Sequence, residues 1–195
     1  MPVSPLSKID FEAIRQKPRR IGTFRILAGN SATQENQHSE TFHALEHLKD
    51  ENIEIICPLS YGSPEYRDKV IEEGKNIFGG KFMPLKDFME YEDYICLLAS
   101  CDAGIFNNNR QQAMGNILIL LRLGKKVYLR EDTSMWRHFK EDMKYCVYPV
   151  SELEGITLEE LARFPSEKAR GNISIAEEYF SGNYAAEQWR KVFAD

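Results

Sequence analysis

The chain has 195 residues, enough for one domain or at most two small ones, and 43% of them are hydrophobic, an ordinary share for a buried core. A net charge of −5 gives no reason to expect a nucleic-acid partner, and four cysteines without a C-x-x-C pair read as reduced thiols of a cytosolic protein. No apolar run approaches the ~20 residues that cross a bilayer, and no N-terminal apolar segment resembles a secretion signal.

Residues 1–23 read as a leader or linker, with Pro2, Pro5 and Pro18 and a basic cluster of Arg15, Lys17, Arg19 and Arg20. Such a stretch suits a solvated tail, a hinge from a preceding domain, or a patch drawn to anionic lipid. Residues 24–195 read as one domain in which strands and helices alternate. A strand over 25–28 stops at Gly29-Asn30-Ser31, and 37–49 place Phe42, Leu45 and Leu48 on one helical face. The run 53–59 is a second strand. Ser63 caps a helix opened by Pro64 and closed by Gly79-Gly80. A short strand over 81–85 leads to a helix over 86–100, then a strand over 103–106. The helix predicted over 110–123 is apolar nearly all round, which places it in the interior. Strands over 126–130 and 145–150 flank a helix over 133–143, and helices follow over 157–164, 173–180 and 184–193.

Alternation with short connections implies βαβ crossovers and a Rossmann-like, three-layer, doubly wound parallel sheet of about six strands. Ligands of such sheets bind outside the carboxyl ends of the strands. The post-strand segments here are rich in amides and hydroxyls: Gly29, Asn30 and Ser31, then His38; Ser60 and Tyr61; the run 107–112, ending in Arg110, Gln111 and Gln112; and Glu131 with Trp136. Arg110 suits a phosphate and the amides suit sugar hydroxyls or a base edge, so the rim fits a nucleotide sugar. Each residue also has a plainer role, Asn in turns and Glu131 at a helix start. No G-x-G-x-x-G follows the first strand, so a dehydrogenase reading is weak, and neither a P-loop nor a nucleophile elbow occurs. His43 and His47 lie one helical turn apart without a third ligand, and no D-x-D pair offers a metal site.

Several of these segments share a resemblance. The run I-L-A-G-N-S, His38, P-L-S-Y at 58–61, C-D-A-G-I-F at 101–106 and R-Q-Q-x-x-G from Arg110 to Gly115 are similar to one family. Arg130, Glu131 and Trp136, and Asn183, Tyr184 and Trp189, extend it. The family is the TDP-N-acetylfucosamine:lipid II N-acetylfucosaminyltransferases, or 4-α-L-fucosyltransferases, and the resemblance runs from about residue 25 to the C-terminus. It implies the C-terminal, donor-binding domain of a metal-independent GT-B glycosyltransferase with no cofactor. The donor would be a TDP-sugar carrying 4-acetamido-4,6-dideoxygalactose or a similar deoxysugar. The acceptor would be a lipid-linked saccharide held by a preceding domain at the inner face of the bacterial cytoplasmic membrane, in enterobacterial common antigen-like polysaccharide synthesis. Carried onto this chain, Gly29, Asn30 and Ser31 would cradle the diphosphate. Arg110, Gln111 and Gln112 would engage diphosphate and sugar, Tyr61 the nucleoside, and Glu131 or Trp136 the sugar or ribose; His38 and Gly115 belong to the same motifs. The general base lies in the acceptor domain of such enzymes, so no catalytic residue is assigned. A face left without its partner domain is able to pair with a second copy as a homodimer. The alternative is a non-catalytic module that binds a nucleotide or phospho-ligand.

Overall fold

The computed structural model describes residues 9–16 and 22–180. Six strands form one parallel sheet in the order β3-β2-β1-β4-β5-β6: β1 Phe24–Ala28, β2 Ile53–Pro58, β3 Phe82–Leu85, β4 Ala103–Phe106, β5 Lys126–Leu129 and β6 Tyr148–Pro149. The chain runs outward from β1 to β3, returns to β4 beside β1, and runs outward again. The order therefore reverses between β1 and β4, and a crevice opens there at the carboxyl ends.

Side chains alternate across the sheet with period two, so both faces are apolar. Ile26, Ala28, Ile55, Cys57 and Ile105 enter one core with α2 His38–Leu45, α3 Pro64–Phe78 and α7 Leu158–Ala162. Leu27, Ile56, Phe106, Val127 and Leu129 enter the other with α4 Tyr91–Ser100, α5 Met114–Arg122 and α8 Ser166–Phe180. α5 is as apolar as its sequence predicts, with Ile117 to Leu121 all buried. It packs so closely on the sheet that a Cβ at Gly104 would stand 2.4 Å from Leu120.

The segment before β1 contributes a short helix, α1 Phe11–Gln16, whose Phe11 is buried beneath the second layer. The Arg122 guanidinium lies 4.1 Å from the Phe11 ring and pairs with Glu177 of α8 at 2.8 Å. Four predicted helices differ in bounds or form. The stretch 86–90 is an open loop, with Phe88 79% exposed, because nothing packs on it as a helical turn. Residues 110–113 are also loop, since Ala113 takes φ +57 and breaks the turn. After α6 Ser134–Trp136 the helix continues as a π-helix over Arg137–Asp142. α8 begins at Ser166, ahead of the predicted 173, because its buried Asn172 bonds both backbone groups of Cys146. The helix predicted over 184–193, with Asn183, Tyr184 and Trp189, lies outside the described residues.

Candidate functional site

The loop after β1 turns at Gly29, where φ is +70 and a Cβ would meet Asn36 Oδ1 and His38 Nε2, each at 2.8 Å. Only glycine lets these two side chains lie against the strand end. Asn36 then fills the loop from within. Its Oδ1 accepts from the Asn30 amide at 2.9 Å, and its Nδ2 donates to Ser31 Oγ and Thr33 Oγ1. The Gly29 amide donates to Ile105, that of Ala32 to Tyr61, and that of Thr33 to Ser31. The backbone donors expected to cradle a diphosphate are thus taken at Gly29, Asn30, Ala32 and Thr33, and Ser31 is only 1% exposed.

A buried amide cluster ties this loop to the one after β4. Asn108 Nδ2 donates to Asn30 Oδ1, Asn36 Oδ1 and the Gln112 side chain at 3.0–3.3 Å. Asn30 Nδ2 donates to the Tyr61 hydroxyl at 2.7 Å. Tyr61 is fixed in turn by Gly62, whose φ of +113 lets the loop after β2 bridge to Ala32. One end of the Gln112 amide faces Asn36 and Asn108, and the other lies 2.9 Å from the Arg110 guanidinium. A single amide oxygen cannot serve both sets of donors, while Asn108 Oδ1 is a buried acceptor without a partner among the described residues.

From this cluster a cleft of about 420 Å³ extends over the carboxyl ends of β2 and β3. Asn30, Tyr61, Leu85, Phe88, Tyr91, Tyr94 and Met114 supply an aromatic and apolar wall. Its far wall is the start of α5, from Ala113 to Asn116. No side chain caps α5, so its first turn and the positive end of the helix dipole stand at this wall without a side-chain cap. Asn116 Nδ2 donates to the Tyr94 hydroxyl at 2.9 Å, holding α5 to α4 beneath the cleft floor. This is the geometry of an anion site beside an apolar one.

The other predicted residues stand apart. His38 is 1% exposed behind the loop, with Nδ1 3.3 Å from the Tyr66 hydroxyl, and burial lowers its pKa to about 4, so it is neutral. Gln111 is exposed on the loop. Glu131 bonds Ser151 in a separate acidic recess of about 440 Å³ with Glu40, Arg130 and Asp132. Trp136 packs partly buried against the α5 layer, with Lys140 5.6 Å from its ring. Phe88 and Tyr94 are cleft residues that the sequence does not single out. Phe88 carries a signal, an aromatic residue beside turn-forming Asp87, within the stretch whose spacing predicts a helix over 86–100.

The model of the family described as 4-alpha-L-fucosyltransferase, glycosyl transferase group 56, matches residues 7–195. The chain belongs to this family. Among solved structures it is similar to the C-terminal domain of a glycosyl transferase group 1 protein from Francisella tularensis. That match has a TM-score of 0.64 and 10% identity over 82% of this chain and 87% of that one. A glycosyltransferase from Rickettsia africae matches with TM-score 0.64 and 15% identity, over 98% of this chain and 53% of that one. A UDP-forming trehalose-phosphate synthase from Burkholderia xenovorans matches with TM-score 0.66 and 14% identity, over 94% of this chain and 48% of that one. The chain therefore spans about half the length of the latter two and has the fold of a glycosyltransferase domain.

Proposed function

We propose that this fucosyltransferase-family chain is the donor-binding half of a GT-B enzyme, holding a TDP-sugar in the cleft between Tyr61 and α5. One observation carries the reading: a single cleft joins an aromatic wall to an uncapped helix start. The nucleoside packs on Tyr61, Phe88 and Tyr91. The diphosphate lies over the amides of Met114, Gly115 and Asn116 toward Arg110, and the amide rim at Asn30 and Gln112 meets hydroxyls. As the sugar leaves, charge grows on the departing phosphate oxygen, and the helix dipole and Arg110 stabilise it without a metal. The sugar is 4-acetamido-4,6-dideoxygalactose or a related deoxysugar. The acceptor is a polyprenyl-diphosphate-linked saccharide on the inner membrane face, bound with the general base by a second domain.

Thermal-shift titration with TDP, UDP and NAD tests this. TDP at 100 times its dissociation constant stabilises the fold by about 2.7 kcal/mol, with UDP weaker and NAD without effect. Stabilisation by NAD in preference to TDP overturns the reading.

A further inference from the structure

Arg110 shares its position with a carboxylate. Glu35, on the turn after β1, sets Oε1 3.4 Å from Arg110 Nε, and the Asn109 amide donates to the Glu35 carbonyl at 2.9 Å. The backbone bond fixes the turn to the loop, so the two side chains stay together while both reach solvent, Arg110 being 60% exposed. The neighbouring groups of Gln112, Asn36 and Asn108 are neutral amides. Among the described residues of these two loops, the Arg110 guanidinium is charge-balanced by Glu35.

That balance matters because the ligand's charge changes during the reaction proposed above, on which this inference rests. A nucleotide sugar is a diester of pyrophosphate, each phosphorus bearing one ester bond, the shared anhydride bond and one negative charge. In transfer, the bond from the sugar's anomeric carbon to the phosphate oxygen breaks, and the oxygen keeps the electron pair. The acceptor oxygen bonds the sugar and gives its proton to the general base that the second domain supplies. The new terminal phosphate has a second pKa near ~6, so at neutral pH it carries close to one more negative charge than it did in the diester. A carboxylate beside the binding arginine repels this product more than it repels the donor.

We propose that Glu35 is a specificity-determining residue that selects the diesterified pyrophosphate of the nucleotide sugar over the terminal phosphate of the free nucleoside diphosphate, and so speeds product release. Glu35→Gln keeps the shape and removes the charge. Calorimetric titration of both proteins with TDP, TDP-glucose and inorganic pyrophosphate at low salt reads the effect. The variant binds TDP and pyrophosphate roughly three- to tenfold more tightly, the range expected for one partly screened charge within several ångströms. TDP-glucose tightens by a clearly smaller factor, and the difference shrinks at high salt. Arg110→Ala weakens all three ligands. If Arg110→Ala weakens TDP but Glu35→Gln leaves it unchanged, or tightens TDP and TDP-glucose equally, the role of Glu35 is overturned and the nucleotide site stands. If wild-type protein binds none of the three, the nucleotide reading itself fails, and the role of Glu35 with it.

Discussion

His38 is the one buried imidazole of the site, pressed between Gly29 and the Tyr66 hydroxyl with Nε2 lacking a partner among the described residues. Burial alone lowers its pKa from the ordinary 6.5 to about 4, which bears on stability rather than on proton transfer. Between those values the unfolded chain binds a proton that the native chain refuses. Stability from this residue is intact above pH 6.5 and is lost as pH falls from there to about 4, a total of about 3 kcal/mol. Urea unfolding of wild type and His38→Gln from neutral to acid pH checks this. The wild-type curve is expected to fall more steeply than the variant's within that window and to run parallel to it above. Equal slopes would mean that the imidazole takes its proton in the native state as readily as in the unfolded one. The same residue shows a boundary of sequence reading: His38 was legible as a motif member near a strand end, but its direction, toward Gly29 and away from the cleft, depends on a positive φ that no spacing reveals.

Elements that shape the site do so through loops stitched to each other. The loops after β1 and β2 exchange two backbone bonds, Ala32 to Tyr61 at 2.8 Å and Ser63 to Ala32 at 2.9 Å. Gly62 permits this, since a Cβ there would stand 2.3 Å from the Ala32 carbonyl oxygen, on a backbone with φ +113. Gly62→Ala is therefore expected to cost about 3 kcal/mol, combining backbone strain with a clash that no flexible side chain relieves. It also displaces Tyr61 and weakens nucleotide binding; denaturation and calorimetry on the one variant measure both, and unaltered TDP affinity would separate the bridge from the cleft. The regular elements were legible where pattern and burial agree. The strand at 103–106 and the helix from Pro64 to Phe78 sit where their apolar runs and caps placed them. At 86–90 and 110–113, where a helix was expected, tertiary contacts override local helical spacing. Asn108 and Gln112 are anchored by buried amides and Ala113 is forced to φ +57, and this costs α5 its first predicted turn while leaving its start without a side-chain cap at the cleft. The rule that failed in the sequence is thus broken at the site itself, as strained positions tend to be.

For the molecule as a whole, the parallel sheet with its reversal between β1 and β4 followed from strand–helix alternation, yet the cleft and the acidic recess at its carboxyl edge were not separable in one dimension. Residues that the sequence places along that edge divide between them, Asn30 and Tyr61 going to the cleft and Glu131 to the recess. The division bears on how much of a transfer reaction this chain performs. A cleft of about 420 Å³ is the size for one nucleotide-like ligand. The second surface carries Glu40, Glu131, Asp132 and Glu154 around Arg130, whose guanidinium is already held by Glu40 at 3.0 Å and Asp132 at 2.9 Å. Such a surface repels a diphosphate-linked lipid. The buried His38 is out of reach as a base for an acceptor hydroxyl, which requires contact within hydrogen-bond distance. These 195 residues are accordingly expected to bind TDP but to form no glycosylated lipid when given a TDP-deoxysugar and a polyprenyl-diphosphate saccharide. Mass spectrometry of the lipid fraction after prolonged incubation reads the result. Detectable transfer would place base and acceptor on this domain, and Asp87 at the cleft mouth is then the first carboxylate to replace, since among the described residues lining the cleft it carries the negative charge.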